Sequence, residues 1–361
     1  MKVEVFAKNT SPLCILPSGK LVTYKRGKIS VYNSGGKLEV EHRIFDDIKE
    51  KYLSCNPLLF RLLRLGIRCA YPLDNEHIII SKGNYIFELD LTTGHISNGF
   101  FCGQGIRPLI FTSVENISGF KDGIYFGGYL SNPSKKEVSI YRRIDVDKWE
   151  IVYTFPTGTI NHVHNIIADN FRNCLWVFTG DFDKSSAIWK VSKGFESIEY
   201  FVGNNQQYRG CVVFSHSQGL LYATDAPFAD NYIYLFDPET KSSKRLFGIH
   251  GSCIYGTKWN DDFVFSSTIE GDGRNTSRFE FYFGRKKGAG IKDNFVHLYK
   301  GNLEKGFEEI YKLKKDIMPF YTFQFGVFRF PYGQNNSNPL FFQPVATNKY
   351  DLSILKLIND K

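Results

Sequence analysis

The chain has 361 residues with a formal net charge of +8, and 42% of its residues are hydrophobic while 23% are charged. No run of apolar residues approaches the length of a membrane span, and the basic residues form no run longer than Arg285-Lys286-Lys287, with no nucleic-acid reading motif. Aromatics make up 16% of the chain, with 33 Phe and 21 Tyr against 2 Met, which favours sheet packing over helix bundling.

Taken in chain order, the sequence repeats one grammar: strands of five or six residues separated by Gly, Asn and Asp turns, renewed every forty to fifty residues or so, the period of propeller blades. Repeats begin near Pro12, Gly66, Pro108, Asn161, Tyr208, Ser252 and Phe320. The reading is all-β: one seven-bladed β-propeller domain spanning residues 1–361, each blade a four-stranded antiparallel sheet. The strand Val3–Ala7 is expected to complete the last blade beside Asp351–Ile358.

Between blades one and two, Asp46–Leu65 breaks the pattern and predicts one short amphipathic helix, with Asn56 as N-cap and Pro57 at the first helical position. Its leucines (Leu58, Leu59, Leu62, Leu63 and Leu65) form an apolar face with Arg61 and Arg64 opposite. Packing over the propeller edge is the first expectation, and a protein partner or a membrane surface is the alternative role.

The fullest repeat is Asn161–Gly203: two histidines at its entrance, an apolar strand, then Cys174–Thr179, Ala187–Val191 and Ser197–Val202. Asp181 and Asp225 fall in matching places after the second strands of consecutive blades, where a turn-capping role is at least as good a reading as a catalytic one; Asp183 reads as a turn cap. Glu270–Asn294 is a basic, Gly-rich insertion, read as a lid or a solvated hairpin. The seven cysteines are scattered without a CxxC pair, which suggests reduced core thiols rather than a zinc cluster. The first residues lack a secretory leader pattern, so an intracellular, cytoplasmic location is expected.

Innermost strands line a propeller's central channel, so the residues at their entrances converge on one mouth. Those entrances supply Arg68, Arg107, His162, His164, Arg209, His250, Tyr321 and Gln324. Arg68, Arg107, Arg209 and Gln324 are read as ligand-binding, because guanidiniums grip carboxylates bidentately. His162, His164, His250 and Tyr321 are read as catalytic. His162 and His164 stand two apart on one strand face, a common start for a metal site; a divalent metal is therefore weighed as a cofactor, with His250 or Gln324 as third ligand, although the same spacing also serves as plain hydrogen-bonding scaffolding.

The segment Ile188–Tyr200, with Ser192 and Gly194, resembles an Asp-box hairpin (S-x-D-x-G-x-x-W), although it lacks the Asp and the terminal Trp. The chain thus resembles the sialidase-like, Asp-box propeller superfamily. That resemblance implies an arginine cluster gripping a sugar carboxylate, a Tyr/Glu nucleophile pair and an Asp acid. Similarity to the propeller polysaccharide lyases implies instead an Arg that neutralises a uronate while His or Tyr removes the α-proton. The expected function is binding, with processing as a lyase or glycosidase its extension, of an acidic saccharide at the axial mouth. The alternative is a non-catalytic scaffold for protein partners.

Overall fold

The computed structural model describes residues 2–274, 277–334 and 339–358, the Asp183 side chain excepted. Seven antiparallel sheets follow one another around a ring, and every one has a four-strand path from the innermost to the outermost strand. Blades one to six are built from consecutive strands; blade four runs His162–Asp169, Cys174–Gly180, Ala187–Ser192 and Ser197–Gly203. In blade three a second short strand, Thr112–Val114, also pairs with Gly123–Tyr129. Blade seven takes Val327–Arg329, Leu340–Val345 and Ile354–Ile358 from the end of the chain and Lys2–Ala7 from its beginning. The N-terminal strand thereby closes the ring, in register from Lys2 opposite Ile358.

The core is distributed between blades. In the second strand of blade four, Leu175 and Val177 pack toward blade three, whereas Trp176 and Phe178 pack toward blade five. Successive side chains of a strand point to opposite faces, so a strand buried on both faces reads as a continuous apolar run, as Cys174–Phe178 does, and the buried Thr179 hydroxyl that follows donates to the Ser185 carbonyl at 2.7 Å. Comparable clusters fill every other interface of the ring, including the closing contact of Ile15 and Leu21 with Phe341 and Ile354. Five cysteines are buried, four in these strands at 14, 174, 211 and 253 and Cys102 just past the strand Phe100–Phe101.

The segment between blades one and two is helical but broken, running Ile48–Lys51, a 3-10 turn Leu53–Cys55 and Pro57–Leu62. Asn56 caps the last of these by accepting hydrogen bonds from the Leu58 and Leu59 amides at 2.9 and 3.3 Å. The anticipated orientation is overturned. Arg61 is 1% exposed and pairs with Asp316 and Asp351 at 2.6 and 2.9 Å, while Leu58, Leu62 and Leu63 are 42%, 40% and 45% exposed. The buried guanidinium ties the segment to the blade-seven side of the ring, and the buried carboxylate of Glu50 ties it to Lys82 of blade two at 2.9 Å. With both ends fixed by ion pairs, the leucines are left outside.

The described residues of 270–294 bridge antiparallel where Gly271 meets Lys287 and are more than a plain hairpin beyond it. They carry the helix Arg278–Phe283, opened by a reciprocal Ser277–Glu280 capping box. This helix packs beside a second unforeseen helical turn, Phe320–Phe323, with Phe281 stacked on Tyr321 at 4.2 Å between ring centroids.

Candidate functional site at the axial mouth

A channel of about 420 Å³ runs between the inner strands of all seven blades, lined by Arg68, Phe111, Asn165, Val212, Tyr255 and Arg329 among others. At its mouth two kinds of position meet. The entrances of inner strands bring Arg68, Arg107, His162, His164 and Arg209; the exits of second strands bring Tyr129, Asp181, Asp225 and Glu270 from blades three, four, five and six.

One half of the mouth is an acid–imidazole cluster. The Nε2 atoms of His162 and His164 are 3.0 Å apart, and Asp181 Oδ1 lies 3.2 and 3.6 Å from them. His162 Nδ1 is 2.9 Å from the Leu130 carbonyl, and Tyr129 packs on the His162 ring at 4.4 Å. Gly180 makes room for the second imidazole, because a Cβ there would sit 2.3 Å from His164 Cε1. Arg209 Nη2 bridges Asp181 Oδ1 at 3.1 Å and Asp225 Oδ2 at 3.3 Å. Burial alone would raise the Asp181 pKa, but hydrogen bonds from His162 and His164 and the Arg209 charge hold it well below the usual carboxylate range. Burial lowers the pKa of His164. Glu270 is pushed up to about 8, by burial first and then by the Asp225 charge, so it is mostly protonated at neutral pH.

The other half is basic. Arg68 and Arg107 lie over the Tyr129 ring at 5.3 and 5.7 Å, and Arg329 over Tyr255 at 5.7 Å. Arg64 reaches the same region from the helical segment, donating from Nη2 to the Tyr321 carbonyl at 2.8 Å. The Arg64 pKa is lowered by burial and then by the Arg68 and Arg329 charges; that of Arg107 falls to about 10 through burial, with Arg68 contributing. Among the described residues, no carboxylate oxygen lies within 4.0 Å of a side-chain nitrogen of Arg64, Arg68, Arg107 or Arg329.

The entrance residues read from the sequence divide accordingly. Arg68, Arg107, His162, His164 and Arg209 gather at the mouth, but Arg209 is engaged by two carboxylates instead of standing free. His250 lies elsewhere: it ends the crossing from the outermost strand of blade five, and its half-exposed ring bonds Asp293 at 2.9 Å beside His297. Tyr321 stands in the helical turn before blade seven, not on the inner strand, and its hydroxyl donates to the Gly271 carbonyl at 2.9 Å. Gln324 is buried and accepts from Arg329 Nη2 at 3.1 Å while donating to the Arg61 carbonyl at 3.0 Å, so it orients an arginine. Neither His250 nor Gln324 completes a metal-ligand set with the His162–His164 pair; Asp181 does.

Sequence reasoning missed Arg64, Arg329 and Glu270. Arg329 follows a helical turn that hides where the inner strand of blade seven begins, and Glu270 opens what reads as an insertion. Glu270 had one signal: it stands after the second strand of blade six as Asp181 and Asp225 do after theirs.

No family model matches this chain, and no curated protein matches it. Its fold is similar to three solved structures. The extracellular domain of a one component system of B. thetaiotaomicron superposes with a TM-score of 0.55 at 12% identity, covering 100% of this chain and 40% of that one. The AfRom2 CNH domain gives 0.54 at 8% identity over 100% of both chains. A chain of the mitotic checkpoint complex gives 0.53 at 10% identity, covering 99% of this chain and 91% of the other. The chain thus spans 40% of the length of the first of these. These likenesses establish the propeller and nothing about chemistry. They leave membership of the sialidase-like superfamily without support from any family model or sequence match.

Proposed function

We propose that this propeller is a binding module that holds a small carboxylate-bearing ligand, of the acidic-saccharide class, at its axial mouth. The observation that carries the reading is the set Arg64, Arg68, Arg107 and Arg329. Of the other buried or half-buried arginines, Arg61, Arg142, Arg143 and Arg172 away from the mouth and Arg209 within it each touch a carboxylate, and Arg26 does not. At the mouth four cations repel one another, Arg68, Arg107 and Arg329 of them over tyrosine rings, an arrangement that an incoming anion relieves. Each charge-assisted hydrogen bond from a guanidinium contributes roughly 1.5–3 kcal/mol. The faces of Tyr129 and Tyr255 suit the apolar side of a sugar ring. His162 and His164 lie beside the same Tyr129 ring as Arg68 and Arg107, within the same mouth as a ligand held there.

Calorimetric titration with oligogalacturonate and with its neutral methyl ester tests this. Binding of the acid alone, lost in the Arg68→Ala/Arg107→Ala double variant while the melting temperature is kept, is the expected result; equal binding of acid and ester, or none, overturns it. Following the same mixture for the absorbance of an unsaturated uronate tests whether binding leads to β-elimination.

A second reading, a scaffold for protein partners, is favoured by one observation: Ile48, Tyr52, Leu58, Leu62 and Leu63 expose apolar side chains on a single segment. Capture of a partner that survives Arg68→Ala but not Leu58→Ser/Leu62→Ser would support it.

A further inference from the structure

We propose that His162, His164 and Asp181 form a binding site for one first-row divalent transition metal of the zinc type. His162 Nε2, His164 Nε2 and Asp181 Oδ1 make a triangle with edges of 3.0, 3.2 and 3.6 Å. Zinc held at about 2.0–2.2 Å by nitrogen and oxygen donors in tetrahedral geometry separates its ligands by about 3.3 Å, so this triangle is the base of such a site. Two imidazoles and one carboxylate leave a fourth position open, the pattern of a catalytic or ligand-accepting centre instead of a closed structural one. Imidazole donors select against calcium and magnesium, which take oxygen ligands.

The hydrogen bonding is what separates a metal site from plain scaffolding. His162 Nδ1, at 2.9 Å from the Leu130 carbonyl, carries a proton; without a second proton the ring points the Nε2 lone pair at His164, and with one it has a single Nε2–H to share between His164 and Asp181. The neutral His164 ring has two tautomers. Protonated on Nδ1, it sets a second lone pair against the first at 3.0 Å. Protonated on Nε2, it leaves a buried Nδ1 acceptor for which the structure provides no donor. A divalent ion at the centre of the triangle accepts all three lone pairs and removes the clash. The Leu130 carbonyl then serves as the outer partner that fixes a ligating imidazole. In a second cluster, His250–Asp293–His297, the imidazole nitrogens face carboxylates and not one another. There His297 meets Glu309 at 2.6 Å through Nδ1 and Asp293 at 3.0 Å through Nε2, and His250 meets Asp293 at 2.9 Å.

Two local features hold the site in shape. Gly180 is the gap that admits the His164 ring, and Arg209 binds Asp181 through its backbone carbonyl at 3.2 Å as well as its side chain. The side-chain contact is to Oδ1, the oxygen that also faces the imidazoles, while Asp225 shares the Arg209 charge.

The test uses the full chain, dialysed against a chelator, and metal alone. Titration with Co2+ followed by visible absorption, and with Zn2+ by calorimetry, should show one ion per chain, a tetrahedral cobalt spectrum that Zn2+ bleaches, and no competition by Ca2+. His162→Ala and Asp181→Asn should weaken binding beyond the roughly 10–100-fold that loss of an outer partner costs. His297→Ala should leave it unchanged, and so should Arg68→Ala/Arg107→Ala, which separates this proposal from the anion-binding reading. Absence of the cobalt bands in the wild-type chain overturns the proposal whether or not the variants fold. So does stoichiometric binding that His297→Ala removes and His162→Ala does not.

Discussion

Burying a guanidinium is costly unless a carboxylate meets it, so the two arginines Arg61 and Arg68 should answer very differently to the same truncation. Arg61 is enclosed with Asp316 and Asp351, and its Nε donates to the Phe323 carbonyl at 2.8 Å. Arg61→Ala leaves two carboxylates facing each other in a buried setting, and urea denaturation should show a loss of about 3–5 kcal/mol. Arg68 is exposed, meets no carboxylate and is repelled by its neighbours, so Arg68→Ala should change stability by less than about 1 kcal/mol. A cost for Arg68→Ala equal to that for Arg61→Ala would show that it too is a structural residue. Glu270 gives a prediction in pH. Its folded pKa, about 8, lies above the ordinary glutamate value of 4.5, so the folded state binds the proton more tightly than the unfolded state. That contribution is fully present below about pH 4.5 and is lost as the pH rises through 8, a swing of roughly 5 kcal/mol. Glu270→Gln keeps a neutral group at this position, so the variant should gain on the wild type between pH 5 and pH 8 in matched urea titrations. A constant difference across that range would mean that Glu270 is ionised throughout.

The helical segment shows what periodicity conveys about an element and what it omits. Asn56-Pro57 and the leucine spacing announce a helix, and the helix forms with the cap those residues specify. The spacing does not say which stripe faces the protein, because that depends on Asp316 and Asp351, some 250 residues or more further along the chain. Leu58→Ser/Leu62→Ser should therefore shift the melting temperature by only a degree or two, since side chains already in solvent have little burial to lose. A loss as large as that of Arg61→Ala would put the leucines inside. The strands were legible for the opposite reason. A blade strand such as Cys174–Gly180 is buried on both faces, so its composition is fixed by its own two neighbours and its ends by Asn173 and Gly180. The apolar run Phe320–Phe323 is too short to distinguish strand from helix, and the structure makes it helical. That single ambiguity displaced Tyr321 from the inner strand and hid Arg329.

At the scale of the whole ring, the site is legible only in part, because it is made where different blades meet. An inner-strand entrance can be located from the strand that follows it, so Arg68, Arg107, His162, His164 and Arg209 were found. Which carboxylate each one meets depends on how the second strand of the same or the next blade ends, so the engagement of Arg209 by Asp181 and Asp225 was not. Closure obeys the same logic with better signals, since an apolar strand at each end of the chain needs a partner. Lys2–Ala7 supplies the outermost strand of blade seven, with Val3 packed against the cluster shared by blades six and seven. Phe6 sits between Tyr32 of blade one and Phe341 of blade seven at 5.2 and 5.3 Å. Removing residues 1–9 would strip these contacts and leave Ile354–Ile358 as an unpaired edge between the first and last blades. Burial of side chains of this kind contributes roughly 1.5–3 kcal/mol each, so the truncated chain should lose on the order of 5 kcal/mol and melt on the order of 10 °C lower. Phe6→Ala alone should reproduce about half of that loss. Because every blade leans on two neighbours, the loss should appear as one cooperative transition at lower temperature. A separate early transition of blade seven, with the rest melting as before, would show that the other six blades hold together without the closing strand.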